Sequence, residues 1–126
     1  MEEVEPIMGL GFIAYQQYIN SSIYDRFGSL NNKKDIYKLS KLLNGKRTEI
    51  ELIIALANYF KHRDDEHTLH PGTEAVLYDL NLNHKSIIEP EDLPIILGTE
   101  MLSGNFDLNI ITMIVINWRE SLWVEN

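Results

Sequence analysis

Apolar side chains in the first thirty residues recur at the spacing of an α-helix. They lie three or four positions apart, which places them on one face of a helix: Met8, Phe12, Tyr15, Ile19, Ile23 and Phe27. Pro6 and Gly28 predict the start and the end of this helix. A long amphipathic helix is stable only when its apolar face is covered, so we expect the chain to fold as packed helices.

Two further helices are indicated before residue 64. One begins at about Lys34, with Ile36, Leu39 and Leu43 directed inward, and Gly45 predicts its end. The next begins at a capping box, in which the Thr48 hydroxyl and the Glu51 carboxylate bond N–H groups of the first turn. It continues to the basic residues 61–63, which favour the negative end of the helix dipole.

The second half of the chain carries weaker signals. Pro71-Gly72 predicts a turn, and Thr73 a cap for a short helix whose inward residues are Val76, Leu77 and Leu80. Residues 81–90 are predicted to form a loop. A helix is expected from about Glu91 or Pro94 to Ser103, with Gly104 after it.

The last segment is compatible with two structures. Its β-branched residues 110–116 suit a buried strand, whereas Leu108, Ile111, Val115, Trp118 and Leu122 follow helical spacing. We predict a helix capped by Asp107, because the helical spacing continues to Leu122 and no partner strand is indicated. The expected fold is all-α: one compact bundle of about five to seven helices formed by residues 1–126.

Composition predicts a cytoplasmic protein. The chain has no cysteine, which excludes disulfides and thiolate metal ligands. The acidic start, residues 1–6, lacks the basic and apolar regions of a secretory signal. The longest apolar stretch, residues 110–116, is too short to span a bilayer, so no membrane association is expected.

The net charge of −8 is unevenly distributed. Residues 1–30 have a balance of −3, residues 31–63 of +5 and residues 64–126 of −10. Such a chain repels nucleic acid over most of its surface and attracts basic partners to its C-terminal half. Residues 33–47 form the exception, since they supply a basic surface.

Three of the four histidines fall within residues 61–70, beside three carboxylates. Imidazole and carboxylate are suitable metal ligands, but the window has no HExxH spacing and Pro71 interrupts it. We therefore predict no metal site and no cofactor. The simplest alternative is structural: Arg63 and His67 bridge to Asp64 or Glu66 and complete the helix.

The same window resembles the Arg…His motif of the HEPN family, small helical bundles that include RNA-cleaving toxins. Arg63 is followed by the polar Asp64, and six residues separate it from His70. The resemblance implies a metal-independent ribonuclease in which His70 performs acid–base work and Arg63 stabilises charge on the phosphodiester, with His67 as a further catalytic candidate. It also implies a dimer.

As a whole, the chain resembles the small acidic immunity proteins of bacterial polymorphic-toxin and contact-dependent inhibition systems. The resemblance rests on size, acidity, helical content and the lack of a sturdy catalytic motif. Six tyrosines among many carboxylates also suit a surface that binds a basic protein. It implies a protein without enzymatic activity that binds and neutralises a cognate, basic nuclease toxin by covering its active site or substrate groove. A helical adaptor or regulatory subunit is a further alternative. The expected partner-binding residues are acidic: Asp64, Asp65, Glu66, Glu74, Asp79, Glu89, Glu91 and Asp92.

Overall fold

A computed structural model of the chain describes residues 4–62, 69–82 and 93–124. Within these ranges the backbone forms six helices and one small hairpin, which confirms the predicted all-α class. In chain order the elements are α1 (Val4–Phe27), α2 (Lys33–Tyr37), β1 (Leu42–Leu43), β2 (Arg47–Thr48), α3 (Glu49–His62), α4 (Pro71–Asp79), α5 (Leu93–Leu102) and α6 (Leu108–Ser121).

Helix α3 lies at the centre of the fold. Its residues 50–57 are all buried, because α1, α4 and α5 pack around it. A helix that is covered on nearly every side needs apolar residues around its whole circumference, and Leu52, Ile53 and Leu56 meet that need. Gly98 of α5 allows a close approach, since a Cβ atom there would lie 2.6 Å from the Leu56 side chain.

Helix α1 follows the predicted pattern over most of its length. Phe12, Ile19 and Ile23 are fully buried. The expectation for Phe27 was wrong: its side chain is 47% exposed, because α1 ends at this residue, beyond the helices that cover its apolar face.

The prediction that the second helix continues beyond Tyr37 was also wrong. Helix α2 ends there, Leu39 is exposed, and Leu42–Leu43 pair with Arg47–Thr48 as antiparallel strands. Asn44 and Gly45, in the connecting turn, have φ values of 53° and 70°. Asn and Gly are the residues that adopt this left-handed conformation most readily, and here they reverse the chain where we expected a helix end.

Two of the three predicted caps are confirmed. The Thr48 hydroxyl accepts the Glu51 N–H at 3.1 Å, and the Glu51 carboxylate accepts the Thr48 N–H at 2.9 Å. The Asp107 carboxylate accepts the Asn109 N–H at 2.8 Å at the start of α6.

The third cap was misassigned. Helix α4 begins at Pro71, and His70 caps it in place of Thr73, with its Nδ1 atom accepting the Gly72 N–H at 3.0 Å. Proline fits the first turn of a helix because its missing N–H would have no helical partner there. The predicted turn is therefore the first turn of α4.

The C-terminal segment is helical, as predicted. Ile111, Val115, Trp118 and Leu122 are buried, and the Trp118 indole N–H donates to the Ile36 carbonyl at 3.4 Å. Helix α5 also lies close to its predicted bounds. Of the predicted loop 81–90, only Asn81 and Leu82 are among the described residues. No helix in the described ranges is long and apolar enough to cross a membrane.

Neighbouring isoleucines in α6 provide a test of the core. Ile111 is fully buried and Ile110 is 43% exposed. We expect Ile111→Ala to lower the free energy of unfolding by ~2–5 kcal/mol, since it removes buried methyl groups and leaves a cavity. The matched variant Ile110→Ala should cost about 0.5 kcal/mol or less. Urea denaturation of both variants measures the difference, and equal losses would contradict the burial pattern.

Candidate functional site: a basic groove

A groove of about 1000 Å³ runs along one side of α3. Residues of α1 and α2 line one wall, and the first turns of α4 line the other. Arg47 also lines the groove, because strand β2 of the hairpin places it directly before the start of α3. This groove is larger than the hollow beside α4 that is described below.

Lysine side chains dominate the rim of this groove. Lys33, Lys34 and Lys38 belong to α2 and the residue after it, and Lys61 belongs to the last turn of α3. Among the ion pairs between described residues, none involves these four lysines. The rim is therefore a concentrated positive surface on a chain whose net charge is −8.

Arg47 connects the groove to the fold through two carboxylates. Its Nε atom lies 2.7 Å from Asp79 Oδ2 in α4, and its Nη1 atom lies 3.1 Å from Glu51 Oε2 in α3. Glu51 is nearly buried, and its other oxygen belongs to the capping box. Its negative charge is therefore balanced locally and offsets little of the charge on the lysine rim.

The wall formed by α2 is held by a tyrosine. The Tyr37 hydroxyl donates to the Asn20 side-chain carbonyl, and the Tyr37 backbone carbonyl accepts from the Thr48 hydroxyl at 2.6 Å. Burial disfavours the phenolate and raises the pKa of Tyr37 to about 12. Tyr37 is therefore a neutral structural group at physiological pH.

The floor of the groove differs from its rim. The buried side chains of Ile54 and Ala55 lie beneath it, and the Gln16 amide donates to the Asn58 side-chain carbonyl at 2.8 Å. Because this bond joins α1 to α3, it holds both amides in fixed orientations. The sequence offered no signal for this pair, since its members are 42 positions apart.

Two histidines line the groove at the end where α3 finishes and α4 begins. His70, predicted as a catalytic residue of the ribonuclease alternative, is exposed and uses Nδ1 as a helix cap. A neutral imidazole that accepts at Nδ1 carries its proton on Nε2. His62 is the second, and its side chain is also exposed. The other predicted residues of this window, Arg63, Asp64, Asp65, Glu66 and His67, lie outside the described residues.

The absence of a metal site from residues 61–70 stays a prediction. In the part of the chain that the structure describes, no group of three or more histidine, aspartate and glutamate side chains is placed to hold an ion. The window that raised the question contains residues 63–68, which the described ranges do not include.

A second, smaller hollow lies on the opposite side of α4. It has a volume of about 390 Å³, and the residues that line it include the buried Leu77, Leu82 and Pro94. Two of the predicted partner-binding acids, Glu74 and Asp79, line it. Glu74 is exposed, whereas Asp79 is paired with Arg47.

The remaining predicted partner-binding acids belong to two other segments of the sequence. Glu89, Glu91 and Asp92 lie outside the described residues, as do residues 64–66. Of the acidic surface predicted from the sequence, the described structure therefore shows the part on α4 alone.

Comparisons of the chain with models of known protein families, with curated proteins and with solved structures gave no match. The chemistry and the position of the side chains therefore carry the functional inference.

The raised pKa of Tyr37 has a consequence for stability at high pH. A tyrosine in the unfolded chain ionises near pH 10, whereas Tyr37 in the folded chain keeps its proton to about pH 12. Between these values proton release favours the unfolded state, so the free energy of unfolding should fall by about 2–3 kcal/mol. Tyr37→Phe should show a correspondingly smaller fall between pH 10 and 12. Urea denaturation at stepped pH measures both proteins, and parallel pH profiles would contradict the assignment.

Proposed function

We propose that this chain binds RNA in the basic groove and cleaves its phosphodiester backbone without a metal ion. One observation carries the proposal: a lysine rim and two histidines share a single concave surface. Phosphate groups are the common biological anions that a row of lysines attracts, and imidazoles are the side chains best suited to proton transfer near neutral pH. The ribonuclease alternative from the sequence is thus favoured over the neutralising protein.

The charge distribution supports a confined nucleic-acid site. The acids at residues 64–66 and 89–92 belong to the sequence regions that give the chain its negative balance, whereas the groove draws its lysines from residues 33–38 and 61. The first turn of α4 also lines the groove, and the positive end of its dipole favours an anion there. RNA should therefore bind at the groove with a marked dependence on salt.

The chemistry requires two proton transfers and a cation. A base takes the proton of the ribose 2′-hydroxyl, the resulting oxygen attacks phosphorus, and an acid protonates the departing 5′-oxygen. The products are a 2′,3′-cyclic phosphate and a 5′-hydroxyl, so no outside reactant is needed. We assign His70 and His62 to the proton transfers. Lys61 stabilises the negative charge that develops on the phosphoryl oxygens.

His70 allows its catalytic and capping roles to be separated. We expect purified wild-type protein to cleave single-stranded RNA and leave cyclic phosphate ends. His70→Asn keeps a good helix cap but has no acid–base group, so it should lose at least ~100-fold in rate while melting at the wild-type temperature. Lys46→Gln, outside the groove lining, is the matched control and should retain activity. Undiminished cleavage by His70→Asn would remove His70 from the mechanism, and inactivity of wild-type protein would reject the proposed enzyme.

The second candidate function is the neutralisation of a basic protein toxin. The hollow on α4 favours it, because the exposed Tyr78 and Glu74 stand beside apolar surface. An aromatic side chain and a carboxylate at the edge of an apolar hollow can bind a lysine or arginine of a partner. In this case the chain acts by covering the toxin and needs no proton transfer.

Charge reversal tests this second candidate. Glu74→Lys should slow association with the toxin and weaken its salt dependence, and Tyr78→Ala should speed dissociation. Glu100→Lys, an exposed acid on α5, is the matched control because it changes the net charge equally away from the hollow. The partner for surface-plasmon-resonance measurements is a basic toxin captured by this chain from its native strain. Equal effects of Glu74→Lys and Glu100→Lys would show that only the net charge matters.

A further inference from the structure

The groove is amphipathic, and binding of a phosphate backbone would account for its cationic rim but not for its floor. Its rim is cationic, whereas its floor combines apolar side chains with the linked amides Gln16 and Asn58. Inorganic phosphate or the outside of a duplex would make use of the rim only. A ligand that also fills the floor has a flat, weakly polar part joined to a phosphate, as a nucleotide of single-stranded RNA does.

The linked amides leave a defined set of hydrogen-bonding groups. In their shared bond the Gln16 Nε2 atom donates to Asn58 Oδ1. The Asn58 NH₂ group therefore keeps its donors, and Gln16 Oε1 keeps its acceptor lone pairs. A donor beside an acceptor is the pattern that matches one edge of a nucleobase, where adjacent atoms accept and donate in turn.

The surroundings hold this pair in place. Both amides are partly buried, one on α1 and one on α3, and Ile54 and Ala55 of α3 lie on the same floor. Asn20, one turn further along α1, is fixed by the Tyr37 hydroxyl. Fixed polar groups discriminate between ligands more strongly than mobile ones, because a mismatched base leaves them without partners.

We propose that the groove selects single-stranded RNA by the identity of one base, with Asn58 and Gln16 reading the edge of that base. The lysine rim holds the adjoining phosphates. This inference rests on the proposed function, since it names the class of RNA that the same site accepts. Duplex RNA is rejected because its base edges are already paired.

The experiment compares affinities across a set of RNA ligands. Fluorescence anisotropy is measured for labelled single strands of adenylate, cytidylate and uridylate of equal length and for a duplex, with His70→Asn protein to prevent cleavage. We expect one homopolymer to bind at least ~10-fold more tightly than the weakest, the range for a well-placed pair of base contacts, and the duplex to bind no better than the weakest.

Two substitutions separate base recognition from backbone binding. Asn58→Asp, added to the His70→Asn protein, keeps the oxygen that accepts from Gln16 and replaces the NH₂ donors with an acceptor. It should reduce or reorder the preference among homopolymers. Lys38→Gln should weaken all strands alike and lower the salt slope by about 0.7, the value for one phosphate of a single strand. Lys46→Gln, away from the groove lining, is the control for both.

The outcomes distinguish this inference from the function on which it rests. Equal binding of all homopolymers and the duplex, or an unchanged preference among homopolymers in Asn58→Asp, would overturn base recognition and leave RNA binding in place. Absence of RNA binding by both the wild-type and the His70→Asn protein would reject the proposed function together with this inference. Circular dichroism of Asn58→Asp shows whether its fold is retained, and Gln16→Ala repeats the test from α1 if it is not.

Discussion

The junction between the hairpin and α3 supports much of the described structure. Thr48 and Glu51 satisfy each other's backbone N–H groups, and the second oxygen of Glu51 accepts from Arg47. A carboxylate this close to the core is stable only if its charge is balanced and its oxygens are bonded. Because the Thr48 hydroxyl also donates to Tyr37 and Arg47 also binds Asp79, one cap joins α2, α3 and α4.

The same junction shapes the groove. The Tyr37 hydroxyl bonds Asn20 of α1, and Arg47 bonds Asp79 of α4. Hydrogen bonds through the junction therefore join the two walls of the groove at one end. In this arrangement Glu51 and Asp79 balance the charge of Arg47, and the rim lysines are not part of these ion pairs. Arg47 is a cation that holds the structure together, whereas the rim lysines form no ion pair with another described residue. This arrangement also explains how a chain with a net charge of −8 presents a basic surface.

The capping groups show how far local chemistry could be predicted. The Thr48…Glu51 spacing and Asp107 were sufficient to locate two helix starts, because a cap involves residues at most three positions apart. The hairpin at Asn44-Gly45 was missed, since the same residue types also end helices. What distinguishes the two is the pairing of Leu42 with Thr48 and Leu43 with Arg47 across the turn.

In the candidate site, too, local features could be predicted from the sequence and long-range pairs could not. His70 and the basic character of residues 33–47 are visible in the sequence, because each is a property of single residues or of a short segment. The pairing of Gln16 with Asn58 and of Arg47 with Asp79 is not, since helices far apart in sequence supply the two members of each pair. The sequence alone determined the helical class, the caps and the unequal distribution of charge, all of which depend on periodicity and near neighbours. Only the tertiary structure decided which lysines, histidines and amides share one groove, because packing against α3 sets those distances.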